Sequence, residues 1–319
     1  MEQVLEQFNF SHRMPNALRY TAHNQEQAIQ IDRLHGIRSL TLYAHGQFDI
    51  TGQNNATANT EPTYLQDIRL TVGGGTVLFA GDGQDLYRIN TFDYGVNGTF
   101  NNGVTLTGND KAYSQVSIID LQEPLARAPI DTALISRLFS SIELRVRIGD
   151  GDDLQAGADG VTFDTFQIDV TLNEVVNMKD GFGRFVKKVS FVEREVTATQ
   201  TEFIIPMPTG NMIKRVMVRS FLNGAPVNTI INNLKVMVGG EVLYDEDDTT
   251  CRGEQLLRQQ INTQPDGYHL INFNPDRILS EGANLSKVAS LGCNLVLDVT
   301  AQTGTNLVRA SVTEIMPIR

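Results

Sequence analysis

Apolar and polar residues alternate with a period of two along most of this chain, the pattern of strands with one buried face. After Gly36 the run 37–42 places Leu40 and Leu42 on one side, and similar runs follow at 68–72, 116–119, 142–148 and 163–172. The second half repeats the pattern at 189–191, 203–205, 213–218, 234–238, 295–299 and 307–312, with Gly, Asn and Asp clusters between runs. Helical spacing is short and rare: 24–34, closed by Gly36, then 130–139, 251–261 and 281–291. The prediction is an all-β chain with a few short helices in its connections.

The two halves resemble each other. Ile68-Arg69-Leu70-Thr71-Val72-Gly73-Gly74, followed by Val77-Leu78-Phe79, reads like Leu234-Lys235-Val236-Met237-Val238-Gly239-Gly240, followed by Val242-Leu243-Tyr244. The offset is 166 residues before the turn (68 to 234) and 165 after it (77 to 242), so one turn residue differs. Upstream, Ile37–Leu42 in six consecutive residues matches Ile213 to Val218. Downstream, Ile142, Leu144 and Val146 match Leu295, Leu297 and Val299. Each half ends alike, Thr171-Leu172-Asn173-Glu174-Val175 against Ser311-Val312-Thr313-Glu314-Ile315. Four segments in one order indicate an internal duplication. Gly73, Gly74, Gly239 and Gly240 are expected to form the matched turns, where a positive φ is needed.

The expected division is an N-terminal segment at 1–30, a first copy at 31–185 and a second at 186–319. The first copy carries longer loops, at 51–62, within 81–111 and at 149–160, all rich in Gly, Asn, Asp and Thr. Seven or eight strands per copy, several joined by long connections, favour a Greek-key sandwich, and the jelly roll is its common form. The fold expected is therefore two tandem eight-stranded jelly rolls.

Composition narrows the function. The 319 residues are 41% hydrophobic and carry a net charge of −11, enough apolar material for real cores and the wrong sign for wrapping nucleic acid. No apolar run approaches the ~20 residues of a membrane-spanning helix. The first sixteen residues lack the charged-then-apolar layout of a secretory leader, so synthesis in a cytoplasm is expected. Cys251 and Cys293 are too few for a disulfide framework and are expected as buried small hydrophobes.

Catalytic motifs are absent from the sequence. No two of His12, His23, His35, His45 and His269 lie within four residues of each other, which excludes helical zinc-protease spacing. A two-barrel cupin needs closely spaced histidines plus Glu inside one barrel; here the first copy offers His35 and His45 and the second only His269. There is no Gly-x-Ser-x-Gly elbow and no phosphate-cradling Gly-rich loop with Lys. Gly81-Asp82-Gly83 lacks the third glycine and following helix of a dinucleotide fingerprint and is expected as a loop. Asn55, Asn97 and Asn284 begin glycosylation patterns that mean nothing without secretion.

Asp150, Asp152, Asp153 and Asp159 form the densest carboxylate cluster, a candidate Ca²⁺ turn because that cation takes six to eight oxygens. The run Asp245-Glu246-Asp247-Asp248 is expected to lead into the helix that follows, where acids suit the N-terminus. Two basic groups interrupt the acidic background: His12, Arg13 and Arg19 near the start, and Arg184, Lys187 and Lys188 between the copies. They are candidates for facing phosphate or anionic lipid headgroups.

The polar start, the strand after Gly36, the paired strand–turn–strand units at 68–79 and 234–244, and the longer first-copy loops together resemble a known family. It is the double jelly-roll major capsid proteins of tailless icosahedral bacteriophages with an internal membrane. The resemblance covers about residues 30–319. It implies a structural virion protein and no enzyme: three chains present six barrels in a pseudo-hexagonal homotrimer that contacts neighbouring capsomers, vertex (penton) and minor capsid proteins, and an inner lipid membrane. It also implies no specific nucleic-acid contact, since lipid separates shell from genome. Two other readings of the same pattern are a two-domain β-sandwich that binds carbohydrate or mediates adhesion, disfavoured by the absence of Trp, and the cupin-like metalloenzyme.

Overall fold

The computed structural model of the chain describes residues 8–50, 56–57, 61–95, 105–106, 110–123, 132–154, 160–178, 183–259, 265–273, 282–285 and 292–318. Parts of the three expected long loops lie outside these residues, as do 130–131 and most of the helix expected at 281–291. Two compact units emerge, Met1–Lys187 with Ile318–Arg319, and Lys188–Pro317.

The first unit has eight main strands and one helix: β1 (Phe8–Arg13), β2 (Gln25–Gln30), β3 (Gly36–Ile50), β4 (Leu65–Val72), β5 (Thr76–Gly81), α1 (Gly83–Tyr94), β6 (Lys111–Asp120), β7 (Ile142–Ile148) and β8 (Val161–Val176). Antiparallel pairing gives the strand paths β1–β8–β3–β6 and β2–β7–β4–β5. Strands distant in sequence thus lie side by side, the winding of a jelly roll. Strict alternation builds the interior: in β7 Ile142, Leu144, Val146 and Ile148 are buried while Glu143, Arg145 and Arg147 point away. Leu40, Leu42, Ile168, Val170 and Leu172 from the other path are fully buried as well. Truncating any one of them to Ala would cost about 2–5 kcal/mol.

The second unit repeats the plan with β9 (Phe185–Glu195), β10 (Gln200–Met207), β11 (Met212–Leu222), β12 (Ile231–Val238), β13 (Glu241–Asp247), α2 (Asp248–Gln259), β14 (Tyr268–Asn272), β15 (Cys293–Val299) and β16 (Asn306–Pro317). Its paths are β9–β16–β11–β14 and β10–β15–β12–β13. The core gathers Phe203, Ile205, Val216, Val218, Leu234, Val236, Leu295, Leu297 and Val312.

The ladders of the two units agree over most of their length and share irregularities, although the slips at Phe163/Thr165 and Gln200/Phe203 are not matched in the other unit's ladder. Leu172 lies opposite Leu40 and Glu174 opposite Ile37; Val312 lies opposite Val216 and Glu314 opposite Ile213. Both ladders slip by one residue at the same place, leaving Arg38 in one and Lys214 in the other as the extra residue. The matched hairpins also share a bulge, with Leu78 and Leu243 as the inserted residues. Their turns use positive φ: 58° and 77° at Gly73 and Gly74, and 59° and 91° at Gly239 and Gly240.

Several sequence expectations are corrected. Residues 8–30 are not a separate segment, because β1 pairs along its whole length with β8 and β2 with β7. The helix expected at 24–34 is the strand β2: its Gln and Glu favour helix, but Ile29 seats opposite buried Leu144 and pairing overrides propensity. At 132–139 there is a two-residue strand, Leu134–Ile135, and a single tight turn, Ser136–Leu138. A helix does follow Gly81-Asp82-Gly83. The Asp82 carboxylate accepts from the Asp85 N–H at 2.7 Å, the Asp85 carboxylate accepts from the Asp82 N–H at 3.3 Å, and Gly95 closes the far end at φ 71°. Helix α1 buries Asp85, Asn90 and Asp93 beside Leu86 and Phe92, so no clean apolar stripe advertised it. Finally, with Leu70 equivalent to Val236, the ladders place Leu144 level with Leu295, two residues from the sequence match. A shift of two keeps every side chain on its face, so alternation alone does not fix it.

Candidate functional site

The strongest electrostatics in the molecule come from carboxylates carried into its interior by strands and by α1. Asp93 on α1 and Lys187 form an ion pair at 2.8 Å with both side chains almost wholly buried. Close by, the Tyr94 hydroxyl donates to Asp120 at 2.7 Å. Burial pushes the Asp120 carboxyl up to about 7, against the pull of Lys187. On β8, Glu174 is fully buried and meets His12 Nδ1 of β1 at 2.8 Å; burial raises its pKa and His12 lowers it. At the equivalent position of β16, Glu314 is fully buried and meets Lys188 of β9 at 3.1 Å, while Asn211 donates to it at 2.9 Å.

These pairs redefine the two basic groups. Lys187 is buried against Asp93 and faces no phosphate or lipid, because an ammonium inside the fold is stable only beside its carboxylate. His12 and Lys188 are held by Glu174 and Glu314. Arg13 pairs with Asp169 at 2.6 Å while staying 62% exposed, and Arg19 and Arg184 are exposed. In each unit, therefore, a basic side chain on the first strand clasps a buried glutamate on the last. A glutamate at matching places in two apolar strands was the sequence signal for this device.

The acidic turn is built differently from a cation cage. Asp150 and Asp153 accept from each other's backbone N–H, at 3.2 and 2.9 Å, and Gln66 also donates to Asp153 at 2.9 Å. Asp152 accepts from the Val161 N–H at 2.8 Å. Burial raises the Asp153 pKa. His23, which the spacing did not connect with this turn, reaches Asp150 at 3.0 Å. Among the described residues, His23, Asp150 and Asp153 are the group able to share an ion; Asp152 is not in it and Asp159 lies outside the described residues. A nitrogen donor in that set suits a borderline metal better than Ca²⁺.

The other histidines do not converge. His45 bonds Asp169 at 2.8 Å, His35 sits edge-on to Phe10, and His269 pairs with Asp248 at the start of α2. Cys251 and Cys293 are free and buried, and burial raises both thiols, Cys293 to about 11. Asp247 ends β13 as a helix cap, accepting from the Thr250 N–H at 2.9 Å, which lowers its pKa. A groove of about 340 Å³ lies on the outer face of the β10–β15–β12–β13 sheet, lined by Glu202, Lys235, Met237, Val242, Val296 and Asp298 among others. It has no aromatic platform of the kind sugars stack on.

No protein-family model matches the sequence, and no curated protein matches it. Solved structures do match in fold. The chain is similar to a structure titled for the STIV MCP, at 16% identity and a TM-score of 0.77 over 97% of each chain. It is also similar to the major capsid protein P2 of bacteriophage PM2, at 12% identity and a TM-score of 0.66 over 98% of each. A third likeness is to the PBCV-1 virus capsid, at 14% identity and a TM-score of 0.64, covering 99% of this chain and 95% of that one. With two register-matched eight-stranded units and these neighbours spanning nearly its whole length, the chain has the double jelly-roll fold.

Proposed function

We propose that the chain is the major capsid protein of an icosahedral virion, acting as a structural element without catalysis, and that three copies form a pseudo-hexagonal capsomer. The observation that carries this reading is the duplication: one chain supplies two jelly rolls alike down to their bulges, so a threefold assembly presents six similar bodies to a hexagonal lattice. The capsid proteins named among the structural neighbours support it. The buried ion pairs fit the same role, because they fasten secondary-structure elements to one another. Contacts with neighbouring capsomers, with vertex and minor capsid proteins and with an inner membrane belong to this proposal. Arg19 and Arg184 are the exposed members of the two basic groups to carry a lipid contact, with partly paired Arg13 beside them.

The test is the native mass and outline of the purified protein. Particles of about 106 kDa, three times the 35.3 kDa chain, with six lobes in negative-stain electron microscopy, are expected. A monodisperse 35 kDa species at capsid-like protein concentrations, roughly micromolar and above, would overturn the reading.

A further inference from the structure

We propose that β13 of one copy of the chain is covered by β1 of a second copy. The proposal rests on the homotrimer reading and names its contact. β13 ends the path β10–β15–β12–β13, and among the described residues no strand pairs with its outer edge. All seven of its residues are exposed or half-buried, with Val242 at 51% and Leu243 at 47%. Val242 and the bulge residue Leu243 thus place two adjacent aliphatic groups in water at this strand. Soluble proteins blunt such edges with charge, Pro or a bulge; β13 has four acids and a bulge, so its edge repels acidic strands and is left to one that is complementary.

The first unit shows what these positions look like when covered. Leu78, the bulge residue equivalent to Leu243, is 1% exposed, and Phe79, equivalent to Tyr244, is 2% exposed. The same bulged backbone is sealed at Leu78 in one unit and open at Leu243 in the other. The open one therefore awaits a partner.

Charge selects the occupant. β13 carries Glu241, Asp245, Glu246 and Asp247 and no base, so a matching strand must bring aromatic or aliphatic groups with positive or no charge. β1, Phe-Asn-Phe-Ser-His-Arg, has no acid, leaves Phe8 48% exposed, ends in Arg13, which stays 62% exposed beside Asp169, and is itself the terminal strand of its path. Its six residues against seven make an edge-to-edge match of similar length. Because the two strands are different surfaces, the contact is head-to-tail, the kind that closes into a ring.

The experiment compares the wild-type chain with Leu243→Asp, Phe8→Asp and the control Leu138→Asp, by light scattering after size exclusion, with circular dichroism to verify folding. Leu138 is 58% exposed and lies on neither strand. Wild type and control are expected near 106 kDa, and the two edge variants near 35 kDa, a threefold fall. In parallel, Phe8→Cys with Val242→Cys is expected to give disulfide-linked dimers and trimers on oxidation. Neither single variant should, since Cys251 and Cys293 are buried. A trimer that survives Leu243→Asp and gives no cross-link overturns this contact and leaves the capsomer reading standing. Cross-linking by Val242→Cys alone overturns it in favour of a like-with-like edge. A wild-type monomer overturns the capsomer reading and this contact together.

Discussion

The outer faces of the sheets β2–β7–β4–β5 and β10–β15–β12–β13 occupy the same place in their units and have diverged. In the first unit one row across the sheet reads Ala28, Arg145, Arg69, Ala80; in the second the matching row is Ile204, Val296, Lys235, Asp245. Arg145 bridges Glu143 and Glu26, and Gln30 donates to Glu143 at 2.6 Å, so the first face satisfies itself. The second pairs Lys235 with Asp245 at 3.1 Å but leaves Ile204 42% exposed on β10, at the opposite edge of the sheet from β13. Interiors of the copies had to stay alike, because alternation, register and bulges are fixed by pairing and close packing. Surfaces were free to answer to different neighbours. The difference between the copies is thus a map of where each one meets something else.

The buried pair of Lys187 with Asp93 of α1 offers the sharpest way to break that comparison. Lys187→Met leaves Asp93 charged and buried with no ammonium, and is expected to cost about 3–5 kcal/mol, read as a lowered urea midpoint. Arg145→Ala on the self-satisfied outer face is expected to leave that midpoint unchanged. Equal effects of the two would mean that the buried pair is solvated in solution.

Asp120 gives the next effect, and it depends on pH. Its carboxyl is pushed up to about 7 in the fold, chiefly by burial, against ~3.9 unfolded. Between those values the folded state holds the proton more tightly, so this group's contribution to stability falls as pH rises from about 4 to 7 and stays low above. Asp120→Asn keeps an acceptor for Tyr94 and is expected to stabilise the protein by a few kcal/mol above pH 7, and little at pH 4. Thermal unfolding across that range checks it; a gain independent of pH would remove titration as the cause.

The turns test the equivalence of the copies directly. Gly74 and Gly240 both have positive φ and open space where a Cβ would go, so Val at either site meets backbone strain alone. Each variant is expected to lose about 1–2 kcal/mol, nearly equally; a marked inequality would show that one turn is also used in a contact. The smallest effect is expected at the acidic turn, which is held by its own hydrogen bonds. A chelator should leave the melting temperature unchanged, and a clear drop would establish a bound cation at His23, Asp150 and Asp153.

Much of the candidate machinery was written in the chain but not readable as such. Glu174 and Glu314 appear in the repeat as matching letters, yet nothing local says that they are buried or that His12 and Lys188 answer them. Lys187 and Asp93 lie 94 positions apart and look like ordinary surface charges. His23 joins Asp150 only because β2 lies beside β7.

The sequence by itself determined what local periodicity and self-similarity encode. It specified strands of period two, the duplication, and the paired turns at Gly73-Gly74 and Gly239-Gly240. Those features repeat within a few residues or between copies, so a single chain displays them. Only the tertiary structure decided that residues 25–30 are a strand, that a helix follows Asp82, which charges are buried, and that Leu243 stands in water where Leu78 does not. Each of these depends on desolvation by elements distant in the chain, and burial is a property of the folded surroundings, which no stretch of sequence carries alone.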